Sequence, residues 1–207
     1  MRYSALAALL LCTAACSAPD SAQTTAGTTA PADSAAALEP MDTARVPAVT
    51  AQSDTLKIVR ARHLFSSLSA PDLFTLALRG SSVVGGEATL TITDAGGQVI
   101  FREMLSAADL EASMVYEMAG SSATEAQRET FIRKRMDEFF AAKNFSTPAL
   151  GAREAYQPGE LDRPTWDELK KQPKSVSFQY LVGKEDRRRI AWSPLKKQVV
   201  HLPGFGG

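Results

Sequence analysis

The sequence predicts an α+β domain: an antiparallel sheet of about six or seven strands, with one long and two short helices packed on it. Three observations carry this. Apolar residues alternate strictly at Phe74, Leu76, Leu78 and again at Val176, Phe178, Tyr180, Val182, which is the period of a strand with one buried face. Between them, Ile132, Met136, Phe139 and Phe140 fall at i, i+4, i+7 and i+8, which is a helical stripe. The order is strands, then helices, then strands, which suits an antiparallel sheet with helices on one face.

Taken in order, Leu56 and Ile58 open the domain on one strand face. The Phe74 strand follows Pro71-Asp72 and stops at Gly80. Gly80 to Gly86 is glycine-rich but lacks the Lys-Ser/Thr ending of a phosphate-binding loop. Ala88, Leu90 and Ile92 then pair with Val99 to Met104 as a hairpin, turned at Asp94-Ala95-Gly96-Gly97, where glycine supplies positive φ. Ser106 to Asp109 caps a short helix carrying Leu110, Met114 and Met118. Ser122 to Glu125 reads as a capping box for a helix over 123–143, closed near Asn144. Its adjacent Phe139 and Phe140 read as core. Thr165 and Glu168 cap another short helix that Pro173 stops. Strands resume at Val176, turn at Gly183 to Asp186, and end with Lys197 to Leu202, after which Pro203 to Gly207 frays.

Residues 54–207 have a size suited to one globular domain. They hold 21 Lys and Arg against 19 Asp and Glu, so no basic surplus points to nucleic acid.

The N-terminus has a different character. Arg2 precedes the apolar run Ala5 to Leu11, too short to span a bilayer and suited to a secretory signal. It closes on Thr13-Ala14-Ala15-Cys16. This resembles the lipobox of bacterial lipoproteins. The resemblance implies that 1–15 is a signal peptide, that Cys16 is acylated, and that the chain hangs from a lipid bilayer. Cleavage after Ala15 by an ordinary signal peptidase is the competing reading. Cys12 leaves with the signal, so ordinary secretion strands one thiol, whereas lipidation accounts for it. Two or three acyl chains anchor stably. Ser17, rather than Asp, after the cysteine favours the outer membrane.

Residues 16–53 form the expected tether. Ser17 to Ser53 holds 11 Ala, 6 Thr, 4 Ser and 4 Pro among 37 residues and no aromatic, a composition that cannot offset the entropy of ordering. As a coil it spans roughly 35 Å. Its three aspartates each precede Ser or Thr and then Ala, at Ser21, Ser34 and Thr43. These triplets resemble the Asp-Ser/Thr-apolar acceptor motif of O-glycosylated bacterial envelope proteins, which marks the three hydroxyls as candidate O-glycosylation sites.

The domain shows no metal-ligand spacing and no nucleophile elbow, so no catalytic residue, metal or cofactor is assigned. His63 lies near Ser66 and Ser67, and His201 near the last strand; both read as structural. Residues 145–164 make a long segment between elements, which in a compact domain is often a recognition loop or a lid. Its Tyr156 and Arg153, with Arg188 of the Arg187-Arg188-Arg189 run, are the candidate recognition surface. The run itself reads as an edge strand protected by charge, with contact to anionic glycan, lipopolysaccharide or phosphate head groups as the functional alternative.

The expected function is a membrane-anchored lipoprotein of the cell envelope, carrying a binding or scaffold domain for an unknown envelope protein or glycan. The alternatives are an envelope hydrolase acting on glycan or ester bonds, and an inhibitor of a periplasmic enzyme. Cys16→Ala is expected to move the chain from the membrane fraction to the soluble fraction. Retention in the membrane fraction would sink the lipid-anchor reading.

Overall fold

The structure is a computed structural model and describes residues 49–203 apart from 51, 119 and 160. The signal segment 1–15, Cys16, the triplets at Ser21, Ser34 and Thr43, and the C-terminal Gly204 to Gly207 lie outside the described residues. At the start of the described residues, Ser53 N–H donates to Thr50 O at 3.0 Å, and Arg79 donates to Ser53 O at 3.4 Å.

The fold is α+β, but it is built on two antiparallel four-stranded sheets rather than one sheet of six or seven strands. The first sheet is a meander of β1 (Thr55–His63), β2 (Asp72–Arg79), β3 (Glu87–Thr93) and β4 (Val99–Ser106), paired in sequence order. After it come α1 (Ala107–Glu111), a 3-10 turn (Ala112–Tyr116) and α2 (Glu125–Glu138). The second sheet takes β5 (Phe145–Ser146), β6 (Ser177–Val182), β7 (Asp186–Ser193) and β8 (Gln198–Leu202), in that order, with α3 (Arg163–Lys170) inserted after β5.

The end of the first sheet is marked locally. Ser106 ends β4 and is also the N-cap of α1, in a capping box with Asp109. The chain therefore leaves the sheet at β4, and the later strands pair among themselves. Gly86 helps fix this corner. Its carbonyl accepts from Ala107 N–H at 2.9 Å, and a Cβ there would sit 2.9 Å from both Arg79 O and Leu78 Cδ1.

Phe74, Leu76, Leu78, Ala88, Leu90 and Ile92 are fully buried on the inner face of the first sheet, as their alternation predicts. β1 departs from its expected face. The register shifts between Thr55 and Lys57, so Val59 packs on the core while Ile58 is 37% exposed. This is a β-bulge, which moves every later side chain to the opposite face.

α2 is shorter than the expected 123–143. Its N-cap is Thr124, boxed with Gln127, rather than Ser122 with Glu125. It stops at Phe139 because Asn144 Nδ2 reaches back to donate to Phe139 O at 2.8 Å. Glu129 and Arg133 pair at 2.7 Å on its outer side. α3, by contrast, starts three residues earlier than expected: its N-cap is Asp162 rather than Thr165, and the Asp162 carboxylate accepts from Thr165 N–H at 2.9 Å.

The main core joins the inner face of the first sheet, α2 and one face of the second sheet. Its centre is aromatic. Phe74 meets Phe65, Phe140, Phe145 and Phe178 with centroids 5.3–5.8 Å apart. Phe139 meets Phe140, Phe178 and Tyr180. Edge-to-face pairs of this kind add about 0.5–1.5 kcal/mol each beyond burial. A second cluster lies on the opposite face of β7 and β8, where Ala191, Val200 and Leu202 pack against Trp166 and Leu169 of α3 and against Ala149, Leu150 and Leu161. The second sheet is thus covered on both faces. β7 is a central strand rather than the expected charged edge.

Among the described residues no helix is long and apolar enough to cross a membrane. Phe139→Ala is expected to cost about 3–5 kcal/mol in denaturant unfolding. Ile58→Ala is expected to stay within about 0.5 kcal/mol.

Candidate functional site

A hydrolase would need clustered His, Ser and carboxylate groups, and the β1–β2 connection sets Asp72 opposite His63 and against Ser66. Asp72 is fully buried. Ser66 Oγ donates to Asp72 Oδ1 at 2.8 Å, and Ser66 N–H to Oδ2 at 2.5 Å. A nucleophilic serine needs its hydroxyl on the imidazole, with the carboxylate behind it; here the hydroxyl is on the carboxylate. His63 instead stacks on Phe145 and meets Phe74 edge-on at 5.9 Å. Burial pulls its pKa down, with a hydrogen bond to the Phe140 backbone opposing. The group is a loop clamp beside an aromatic core. His201 lies on β8 with its ring 6.1 Å from Phe101. Among the described residues no three His, Cys, Asp or Glu cluster as a metal site.

The 145–164 segment is a built strap rather than a free loop. Arg189 projects from β7 into the second cluster and forks onto Glu154, at 3.0 and 2.8 Å. Lys170 of α3 donates to the Gly151 and Glu154 carbonyls. Asp162 pairs with Lys196. That pair and the Thr165 hydrogen bonds hold the Asp162 carboxyl well below its usual range. Burial of Glu154 works to raise its pKa. The Arg189 hydrogen bonds, Gly151 N–H and the charges of Arg189 and Lys170 outweigh it, so the pKa ends lowered. Tyr156 meets Trp166 edge-on at 5.8 Å, with the Arg163 guanidinium 5.1 Å over its ring. Arg153 is exposed on the strap.

Arg188 is not on that surface. It takes the other face of β7, beside Ile190, and pairs with Glu103 of β4 and with Asp186 at 3.3 Å. Tyr180 also donates to Glu103. Burial first, and Glu103 second, push the Tyr180 hydroxyl far up, so it stays protonated. The structure therefore separates Arg188 from Tyr156 and Arg153. Of the arginine run, only Arg187 is exposed.

An apolar groove lies elsewhere. The Arg128 guanidinium forks onto Glu111 at 2.5–3.1 Å and ties α2 to α1. The 3-10 turn and its continuation stand off α2 and leave a groove of about 530 Å³. Met114, Met118, Ala123, Ala126 and Phe131 line it, and the Glu117–Lys134 pair, at 3.1 Å, crosses its rim. A second hollow of about 390 Å³ shares Met114, Met118 and Ala123. Val115 and Tyr116 beside them are 51% and 63% exposed. The Tyr116 hydroxyl donates to Glu185 at 2.5 Å, which steadies the turn. The sequence reading missed this groove because it took 110–118 as one helix with a core-facing stripe. The available signal was Met114 and Met118 set opposite the small residues Ala123 and Ala126.

No protein-family model matches the chain, and no curated protein or solved structure matches it.

Glu154→Gln is expected to cost about 3–5 kcal/mol at neutral pH, because it leaves a buried guanidinium without its carboxylate. The folded pKa of Glu154 lies below the unfolded value of about 4.3, so the pair's contribution is complete above that pH and is lost as pH falls through the folded value. The stability gap between wild type and variant should close as pH drops below about 4. A gap unchanged into acid would show that the pair does not stabilise the fold.

Proposed function

We propose that the chain is a lipid-anchored binding module of the cell envelope, held at the outer membrane by acylated Cys16 and the 17–53 tether. In this reading it grips an apolar segment of an envelope protein between the 3-10 turn and α2. The observation that carries the binding role is the methionine-lined groove. Its volume falls in the range of about 300–1,000 Å³ common to ligand sites. Methionine side chains are flexible and polarizable, and adapt to apolar partners of varied shape.

The lining favours a protein segment over a glycan. Sugar hydroxyls placed against Met114, Met118 and Phe131 would lose water without gaining hydrogen bonds, which costs free energy. The rim carries Glu117 and Lys134, paired with each other, Gln127 and Thr130, whose side chains bond within α2 and its cap, and the Ser122 hydroxyl. A partner would meet a largely engaged polar rim around an apolar floor.

A second reading, an inhibitor of a periplasmic enzyme, is favoured by the strap. Arg189, Lys170 and Asp162 hold it, and it presents Arg153 to solvent. Hydrolysis of glycan or ester bonds draws no support from the His63 region, where Ser66 is engaged by Asp72.

Photo-crosslinking in cells separates the two. A crosslinker at Met118 should join an apolar stretch of an envelope protein, and Ala126→Glu should weaken that capture by at least about 30-fold, the scale of one interface hot spot. Ala126 is exposed on α2, so the fold should be unchanged by circular dichroism. Crosslinks from Arg153 but not from Met118 would move the reading to the inhibitor. Crosslinks from neither position would overturn both.

A further inference from the structure

The register of the first sheet places three rows of residues on its outer face, away from the core. The rows are Ile58, Ala77, Thr89, Met104; then Arg60, Thr75, Thr91, Arg102; then Arg62, Leu73, Thr93, Val99. The middle row has an arginine at each end and two threonines between. Across three strand spacings, Arg60 and Arg102 stand about 14 Å apart.

Three properties set this face apart. Arg60, Arg62 and Arg102 are exposed, and none takes part in an ion pair among the described residues, whereas Lys57, Arg128, Arg133, Lys134, Arg163, Arg188, Arg189 and Lys196 all do. The twelve positions hold three guanidiniums and four threonine hydroxyls but no carboxylate. A domain with nearly equal numbers of acids and bases would ordinarily intersperse the two signs. The nearest outward carboxylate in register, Glu87, lies at the far end opposite Arg79. Finally, apolar side chains flank the cations: Met104 is 61% exposed, Val99 44% and Ile58 37%.

We infer that this face docks on an anionic lipid headgroup layer. Arginine forks match phosphate oxygens, and threonine hydroxyls add donors between them. The exposed apolar side chains can enter the headgroup–acyl boundary, as in proteins that bind membrane interfaces. A soluble polyanion would use the arginines but would gain nothing from Met104 or Ile58. The chain also enters the domain at Thr55 on β1, the edge strand of this sheet, so the segment leading to Cys16 starts beside the face. Docking does not require acylation. In a chain anchored at Cys16 it would raise occupancy through effective concentration and fix which side of the domain meets the bilayer.

The test uses the full chain carrying Cys16→Ser, so that no acyl group contributes. Sedimentation is measured on vesicles of phosphatidylcholine alone and of phosphatidylcholine with phosphatidylglycerol. Binding should need the anionic lipid and should fall with added salt. The combined variant Arg60→Gln, Arg62→Gln, Arg102→Gln should partition on the order of 100-fold more weakly, since each arginine near an anionic surface accounts for roughly a fivefold factor. Its unfolding midpoint should be unchanged, because the three side chains have no partner to lose among the described residues. Met104→Ser with Ile58→Ser should weaken vesicle binding several-fold and leave binding to dextran sulfate unchanged. Equal sedimentation on neutral vesicles, or an arginine variant that partitions like wild type, would overturn the proposal. So would tight binding to dextran sulfate with none to vesicles, which would assign the face to a soluble polyanion.

Discussion

The contact between Phe74 and Phe178 is the constraint on which the structure depends. One ring rises from the middle of β2 and the other from β6, and they meet at 5.4 Å. Phe139 and Phe140 at the end of α2 and Phe145 of β5 close around them. Neither sheet is stable with its apolar face bare, and this cluster lets each cover the other. Stacking of Tyr180 on Phe178 at 5.4 Å then sets where the hydroxyl emerges, and Glu103 and Arg188 meet it there. The polar seam at the margin of the core follows from the aromatic centre.

Covering the second sheet on both faces has a different consequence. A polar side chain caught under one of these covers, as Arg189 is, cannot reach water and must find a partner. Arg189 finds Glu154, and through it the 149–161 strap is locked to a central strand. A segment that loop composition would mark as adaptable becomes part of the second core. Candidate recognition therefore moves to places the core leaves open, the groove beside α2 and the outward face of the first sheet. One is concave and apolar and the other flat and cationic, so they suit different ligands.

Much of the fold was legible because burial has a period. Phe74, Leu76 and Leu78, and then Ala88, Leu90 and Ile92, alternate as they pack. Leu56 and Ile58 misled, because a bulge is an extra residue in a pairing that local sequence does not record. The cap of α2 was ambiguous from the start: Ser122 with Glu125 and Thr124 with Gln127 are overlapping capping boxes, and only the second forms. The count of sheets was out of reach, since which strand neighbours which is a long-range fact. The arginine run was half readable. The alternation of a strand puts Arg188 and Arg189 on opposite faces, but the partners Glu103 and Glu154 lie 85 and 35 residues away. Of the sites, the strap was visible as composition. The groove depends on a 3-10 turn, of which the methionines and facing alanines were the one trace, and the arginine face depends on register, which local sequence does not record.

The meander order of the first sheet bears on how the chain acquires its structure. Each of its strands pairs with a sequence neighbour, so the loops that must close are short and the pairing can form early. The cover for its inner face comes much later, from α2, β6 and β7. A chain emerging from its N-terminal end would thus complete a sheet whose row of Phe74, Leu76, Leu78, Leu90 and Ile92 is not fully covered until about residue 190 has followed. That interval is a window for aggregation or for a chaperone. It is longest for a chain threaded through an export channel, where the last third arrives after the first has had time to pair.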